Sequence, residues 1–249
     1  MTHKEASSYR LRTFLPELER MRRVKQKAVY QGPLGRLGQT PSSRYRLLLV
    51  SGTLTLLSLL LAASFSPLLT ALLGLVLVAV MALGWPAATG IAELRGQSRI
   101  DSHALIVFLT GSLSILLAVL FSQRAPLEYL PAVAAVGVVA SFMVELARGE
   151  GAVGRLESVI SCMSGMLAAV SVAGWVGLAQ LAQQTQTRTP VVLIGLLIAL
   201  VLALLAGRLI SAGPQSGPRR GAVTLGVTPV AFVGAISYIS ATLLTYMIG

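Results

Sequence analysis

The stretch from residue 47 to residue 85, LLLVSGTLTLLSLLLAASFSPLLTALLGLVLVAVMALGW, decides the fold class. No charged residue interrupts it. A bilayer core of about 30 Å is crossed by roughly 20 apolar residues of α-helix. Phe65-Ser66-Pro67 supplies a turn near the middle. The stretch therefore predicts two membrane-spanning helices, at residues 47–64 and 68–85.

The same block pattern continues to the end of the chain. Hydrophobic residues make up 55% of the 249 residues, and charged residues only 12%, about half the charged fraction of an ordinary soluble domain. Five further apolar blocks are long enough to cross a bilayer, at residues 104–121, 128–147, 158–181, 190–210 and 222–248. We therefore predict an all-α fold, a polytopic bundle of seven transmembrane helices over residues 47–249. Pro229 predicts a kink or a broken start in the last helix.

The distribution of basic residues predicts the orientation. With the N-terminus in the cytoplasm, the inner segments hold 18 of the 20 Lys and Arg, and the outer loops hold only Arg124 and Arg188. Basic residues concentrate in cytoplasmic loops, so we expect a cytoplasmic N-terminus and a C-terminus outside. Arginine greatly outnumbers lysine, as is typical of GC-rich bacterial genomes. The predicted location is therefore the cell (inner) membrane of a bacterium.

The first 46 residues form a basic cytoplasmic tail. Its pattern predicts an amphipathic helix from Thr13 to about Tyr30, followed by a Gly- and Pro-rich linker. Basic residues of this helix are expected to contact the anionic lipids of the inner leaflet: Arg20, Arg22, Arg23, Lys25 and Lys27. Its apolar face is suited to docking a protein partner, which is compatible with lipid contact. Nucleic acid is not an expected partner, because the tail is tethered to the membrane and lacks interleaved aromatic residues.

Small residues recur every four positions along the predicted fifth helix: Ser161, Gly165, Ala169, Ala173 and Gly177. Small side chains let two helices approach closely in lipid. The stripe therefore predicts that this helix lies at the centre of the bundle, or at an interface with a membrane-protein partner or a second copy. A substrate path along the same groove is the alternative.

Two groups of polar residues are candidates for a gate or a polar cavity. Glu145 lies about one turn from the inner end of the fourth helix, where it either pairs with a nearby arginine (Arg95, Arg99 or Arg155) or extends to the headgroups. Ser237, Ser240 and Thr245 belong to a hydroxyl-rich seventh helix that either lines a cavity or bonds its own carbonyls.

The sequence contains no nucleotide-binding loop, zinc-ligand spacing or catalytic motif. We therefore assign no catalytic, cofactor-binding or metal-binding residue, and a non-enzymatic role is favoured. The leading hypothesis is a subunit or scaffold of a bacterial cell-envelope membrane complex. The second is a transporter or flippase for a neutral or lipidic substrate. The third is a membrane enzyme acting on a lipid-linked substrate at the inner face, which would require Asp101, His103, Glu145 and Glu157 to converge in one pocket.

Overall fold

The computed structural model describes residues 41–90, 102–121, 127–148, 155–184 and 219–248. These ranges contain α1 (Pro41–Phe65), α2 (Pro67–Ala88), α3 (Ser102–Leu120), α4 (Leu130–Ala147), α5 (Arg155–Ser171), α6 (Ala173–Gln184) and α7 (Arg219–Ile248). They contain no strand. The predicted all-α fold is thus confirmed.

Six helical segments are long and apolar enough to cross a membrane: Arg46–Phe65, Pro67–Ala88, Ser102–Leu120, Leu130–Ala147, Arg155–Gln183 and Arg219–Leu243. They make the chain compatible with an integral membrane protein. The predicted sixth helix at residues 190–210 and the amphipathic helix of the tail lie outside the described residues. The seventh span and the orientation of the termini therefore stay predictions.

Three helix boundaries differ from those predicted. Helix α1 begins at Pro41, within the predicted linker, because proline is well tolerated at the first position of a helix. Helix α2 continues through Pro86 to Ala88, where the backbone N–H of Thr89 bonds the carbonyl of Trp85. Helix α7 runs unbroken through Pro229, so the alternative of a broken start was wrong.

The predicted fifth helix is two helices, α5 and α6, that together make one span. They meet at Val172, whose N–H bonds the carbonyl of Ala169 at 3.2 Å, and Trp175 N–H bonds the carbonyl of Val172 at 3.1 Å. These bonds reach three residues back instead of four, which tightens the backbone locally into a 3₁₀ turn. Gly174 beside the break has the low helix propensity that allows such an interruption.

The span formed by α5 and α6 lies at the centre of the bundle. In an apolar 18-residue segment of this span, 72% of the residues are buried. The corresponding share is 22% for the spans of α1 and α4. Trp175 and Met166 are among the largest fully enclosed side chains. Large apolar residues such as Phe65 (75% exposed) and Leu146 (68% exposed) cover the outside of the bundle. Such an outer surface is suited to lipid tails, because burying it in lipid removes it from water.

Two helix crossings bring backbone against backbone. A Cβ atom on Gly174 of α6 would collide with the backbone nitrogen of Ala235 in α7. A Cβ atom on Gly52 of α1 would lie 2.7 Å from the carbonyl oxygen of Gly226 in α7. Glycine at such positions lets transmembrane helices pack closely.

Valine in place of Gly174 is expected to destabilise the protein by about 1–3 kcal/mol, because the added side chain must push α6 and α7 apart. The matched control is Ala135→Val, since Ala135 lies on the exposed face of α4. Thermal unfolding of both variants in detergent measures the difference. Equal midpoints for the two variants would contradict the close crossing.

Candidate functional site

Three helix ends meet around a group of buried polar side chains. His103 is the second residue of α3, Glu145 lies in the last turn of α4, and Ser158 lies in the first turn of α5. These residues are 5%, 4% and 1% exposed, respectively. Ionisable groups enclosed among transmembrane helices are costly, so they commonly mark a functional position. Together with Arg148 we call them the polar cluster.

Short contacts between polar atoms join the three buried residues into a triangle. Ser158 Oγ lies 2.9 Å from Glu145 Oε1 and 3.0 Å from His103 Nδ1. The other ring nitrogen, His103 Nε2, lies 3.2 Å from the same Glu145 Oε1. Each side chain therefore contacts both of the others, and the triangle ties α3, α4 and α5 together.

Arg148 connects the triangle to the protein surface. Its Nη1 donates to Glu145 Oε2 at 2.7 Å, one turn along the same helix. The side chain of Arg148 is 28% exposed, whereas that of Glu145 is 5% exposed. A carboxylate this deeply enclosed needs a charged or strongly polar partner on each oxygen, and the cluster supplies both.

A second set of contacts fixes α2 beside the polar cluster. Trp85 Nε1 donates to the carbonyl of Ser161 at 2.7 Å, and Ser161 Oγ donates to Thr89 Oγ1 at 2.9 Å. The Trp85 ring lies over Gly165, where a Cβ atom would be 2.7 Å from ring carbon Cδ1. The end of α2 and the start of α5 are therefore held at the same end of the bundle.

Five of the described arginines lie at that end: Arg46, Arg148, Arg155, Arg219 and Arg220. Gly221 packs on Ala87, which places the start of α7 beside the end of α2. Gly226 packs on Leu48, which places the start of α1 there too. At the opposite end, the described ranges contain one charged residue, Glu128, which precedes α4. The described arginines thus lie at one end of the bundle, and the polar cluster lies at the same end.

The small-residue stripe packs inside the chain. Ser161, Gly165, Ala169, Ala173 and Gly177 are all buried. Besides the contact of Gly165 with α2, a Cβ atom on Gly111 of α3 would lie 2.9 Å from the Cβ of Ala169. A Cβ atom on Gly177 would lie 2.9 Å from the ring of Tyr238 in α7. The structure therefore places the stripe against three helices of the same molecule, at the bundle centre.

The hydroxyl groups of α7 differ in their hydrogen-bond partners and in their exposure. Thr224, Thr228 and Thr242 each donate to a carbonyl four residues earlier in their own helix. Ser237 is 2% exposed, and its hydroxyl has no hydrogen-bond partner among the described residues. Ser240 is half-buried, and the side chain of Thr245 lies outside the described residues. A polar cavity along this helix stays a prediction.

The structure gives Glu145 a partner that the sequence analysis did not name. The carboxylate pairs with Arg148, whereas Arg95 and Arg99 lie outside the described residues. The Nε atom of Arg155 has no partner within the described ranges. One partner of Glu145 is thus the arginine directly after α4, at i+3, a spacing at which helical side chains meet. Pairing with Arg95 or Arg99 stays a prediction.

The polar cluster contains only part of the set required by the enzyme hypothesis. His103 and Glu145 meet, but the side chain of Glu157 is exposed. Asp101 lies outside the described residues, as do Arg20, Arg22, Arg23, Lys25 and Lys27 of the tail. Sequence reasoning missed Ser158 and Arg148. The spacing of Glu145 and Arg148 was an available signal, whereas the contacts of Ser158 depend on how three helices pack.

No family model, curated protein or solved structure matches the chain.

Alanine in place of Glu145 is expected to destabilise the protein by about 3 kcal/mol, because it leaves His103, Ser158 and Arg148 without their shared acceptor. Glu128→Ala is the matched control, since Glu128 is exposed at the other end of α4. Unfolding in a denaturing detergent titration measures both free energies. A loss of less than about 1 kcal/mol for Glu145→Ala, the range typical of exposed ion pairs, would contradict the buried cluster.

Proposed function

We propose that this chain is a non-enzymatic subunit or scaffold of a bacterial cell-envelope membrane complex. The observation that carries the proposal is the closure of the polar cluster. Its buried groups bond to each other and to Arg148, and Ser158 is 1% exposed. A transported solute or a substrate must reach polar groups of the protein, and these groups already have partners within the protein.

The packing around α6 supports the same proposal. Gly174 and Gly234 bring α6 and α7 into direct contact, and Trp175 Nε1 donates to the carbonyl of Val230 at 2.8 Å. These contacts fill the space between the two helices in the middle of the bundle. A tightly packed centre with apolar outer faces is suited to holding other membrane helices in place.

The seven-span arrangement is part of the proposal. Gln180 Nε2 near the end of α6 donates to the carbonyl of Ala118 near the end of α3, at 2.9 Å. Helix α7 begins at the arginine-rich end, beside Ala87. The end of α6 and the start of α7 thus lie at opposite ends of the bundle. We propose that the apolar residues 190–210 cross the membrane between them.

We further propose that the arginine-rich end faces the cytoplasm and that the protein resides in the inner membrane. Two exposed glutamates at opposite ends, Glu128 and Glu157, allow a matched test in a Cys162→Ala background. A membrane-impermeant maleimide is expected to label Glu128→Cys in intact cells and Glu157→Cys only after permeabilisation, because the basic end stays inside. The reverse pattern would overturn the orientation, and labelling of both in intact cells would overturn the topology.

The subunit proposal predicts a membrane partner that can be isolated. Purification of the tagged protein from its native membrane in mild detergent, followed by mass spectrometry, is expected to recover a second membrane protein in stoichiometric amount. A tagged unrelated polytopic protein from the same membrane is the control for non-specific capture. Recovery of a lone monomer or a homo-oligomer would contradict the subunit role and favour the transporter.

A membrane enzyme acting on a lipid-linked substrate at the inner face is the second candidate. Ser158, His103 and Glu145 are the residue types of a nucleophile, a base and an acid, and they lie within contact distance of one another. In this role His103 Nδ1 must accept the proton of Ser158, so the imidazole must be neutral. The cluster must also open, because Ser158 is 1% exposed. An opening that exposes Ser158 is therefore required by the enzyme candidate and not by the scaffold.

A further inference from the structure

The described helices at the arginine-rich end fall into two groups that differ in their charges. Helices α1, α2 and α7 contain no aspartate or glutamate, and their four arginines are Arg44, Arg46, Arg219 and Arg220. In the second group, two glutamates of α4 and α5 balance Arg148 and Arg155, and one of them, Glu145, pairs with Arg148. Among the described residues, the uncompensated positive charge therefore lies where α1 and α7 begin.

Arg46 and Arg220 lie near the crossing of α1 and α7. Ser51 of α1 donates to the carbonyl of Val223 in α7 at 3.4 Å. Arg46 is five residues before Ser51, and Arg220 is three residues before Val223. Because a helix rises about 1.5 Å per residue, both arginines are within about 8 Å of this contact along their helix axes. Both side chains are exposed, and neither forms an ion pair within the part of the chain that the structure describes.

Arg46 lies at one end of an exposed apolar stripe on α1. The members of the stripe follow Arg46 at spacings of three or four residues, which places them on one face of the helix. They are Val50, Leu54, Leu57 and Leu61, and each is between 59% and 67% exposed. Thr53 beside the stripe is exposed as well, but its hydroxyl donates to carbonyls of its own helix. Beyond Arg46, the α1 stripe therefore presents an apolar surface.

The charge and the length of this surface match those of one phospholipid. From Val50 to Leu61 the α1 stripe rises about 16 Å, which is about the hydrocarbon thickness of one leaflet, half of a bilayer core of roughly 30 Å. A phospholipid has a phosphate at one end of acyl chains that fill one leaflet. A guanidinium is suited to bind that phosphate, because its N–H groups form charge-assisted hydrogen bonds with phosphate oxygens.

We propose that α1 and α7 form a binding surface for an anionic phospholipid at the arginine-rich end. The headgroup lies at Arg46, an acyl chain lies along the α1 stripe, and Arg220 adds a second positive charge from the neighbouring helix. At the end of α4, by contrast, Glu145 neutralises Arg148, so the preference for anionic lipid is confined to α1 and α7. The proposal requires a membrane location and is independent of the subunit role.

Two labelling positions in a Cys162→Ala background measure the lipid preference locally. Leu54→Cys carries a fluorophore on the α1 stripe, eight residues from Arg46. Val139→Cys is the matched control, because Val139 is exposed on α4, nine residues from Arg148. The purified protein is placed in bilayers of phosphatidylglycerol and phosphatidylcholine, and brominating one lipid at a time reports by quenching which lipid lies beside the label. We expect the ratio of phosphatidylglycerol to phosphatidylcholine to be roughly fivefold higher at position 54, which corresponds to about 1 kcal/mol for one arginine near anionic lipid.

Neutral and charge-preserving substitutions test the two arginines as the cause. Arg46→Gln combined with Arg220→Gln is expected to lower the ratio at position 54 to that at position 139, whereas Arg46→Lys combined with Arg220→Lys keeps most of the preference. Both arginines are exposed, so all variants are expected to fold, which thermal unfolding checks.

Three outcomes would overturn the proposal. Equal ratios at the two labelled positions would show that α1 has no preference for anionic lipid. A raised ratio that persists after both Gln substitutions would assign the preference to basic residues other than Arg46 and Arg220. Loss of the preference on adding inorganic phosphate at constant ionic strength would identify the ligand as a free phosphate instead of a phospholipid.

Discussion

The structure depends on one constraint: polar groups buried among membrane helices must find their partners within the protein. Helical backbone bonds satisfy most of the peptide groups, and side-chain hydroxyls such as those of Thr110 and Thr228 bond carbonyls of their own helices. The remaining polar side chains need partners on other helices. In the part of the chain that the structure describes, the polar cluster connects three helices in this way, because His103, Glu145 and Ser158 each come from a different one.

The two tryptophans satisfy the same constraint by a shared arrangement. Trp85 donates its indole N–H to the carbonyl of Ser161, and its ring covers Gly165. Trp175 donates to the carbonyl of Val230, and its ring covers Gly234. In both pairs the glycine lies four residues after the residue whose carbonyl accepts the hydrogen bond, one turn along the same face. The glycine makes room for the ring, and the ring brings the N–H to a carbonyl that lies beside it. Large and small residues thus become complementary across α2 and α5, and across α6 and α7.

The six described spans were predictable because a membrane helix needs a long apolar stretch, as residues 47–85 illustrate. The burial of the small-residue stripe followed from its spacing, although the choice between bundle centre and subunit interface did not. The polar cluster was not predictable in the same way. In the sequence, Ser158 is an ordinary polar residue near the start of a helix. The burial of Glu145 depends on how α4 is rotated against α5. The break at Val172 was missed because no proline marks it, and its cause lies in short backbone bonds and a glycine packed on another helix.

The antiparallel arrangement of the helices also explains why an ionic cluster is stable at this position. Glu145 near the C-terminus of α4 is placed unfavourably with respect to its own helix dipole. However, it contacts His103 and Ser158, which lie at the N-termini of α3 and α5, so the positive ends of two neighbouring helices face the carboxylate. His103 is likewise close to the negative end of α4. The carboxylate is therefore stabilised by helices other than its own. The cluster holds together as long as the three helix ends stay adjacent, and their adjacency depends in turn on the cluster.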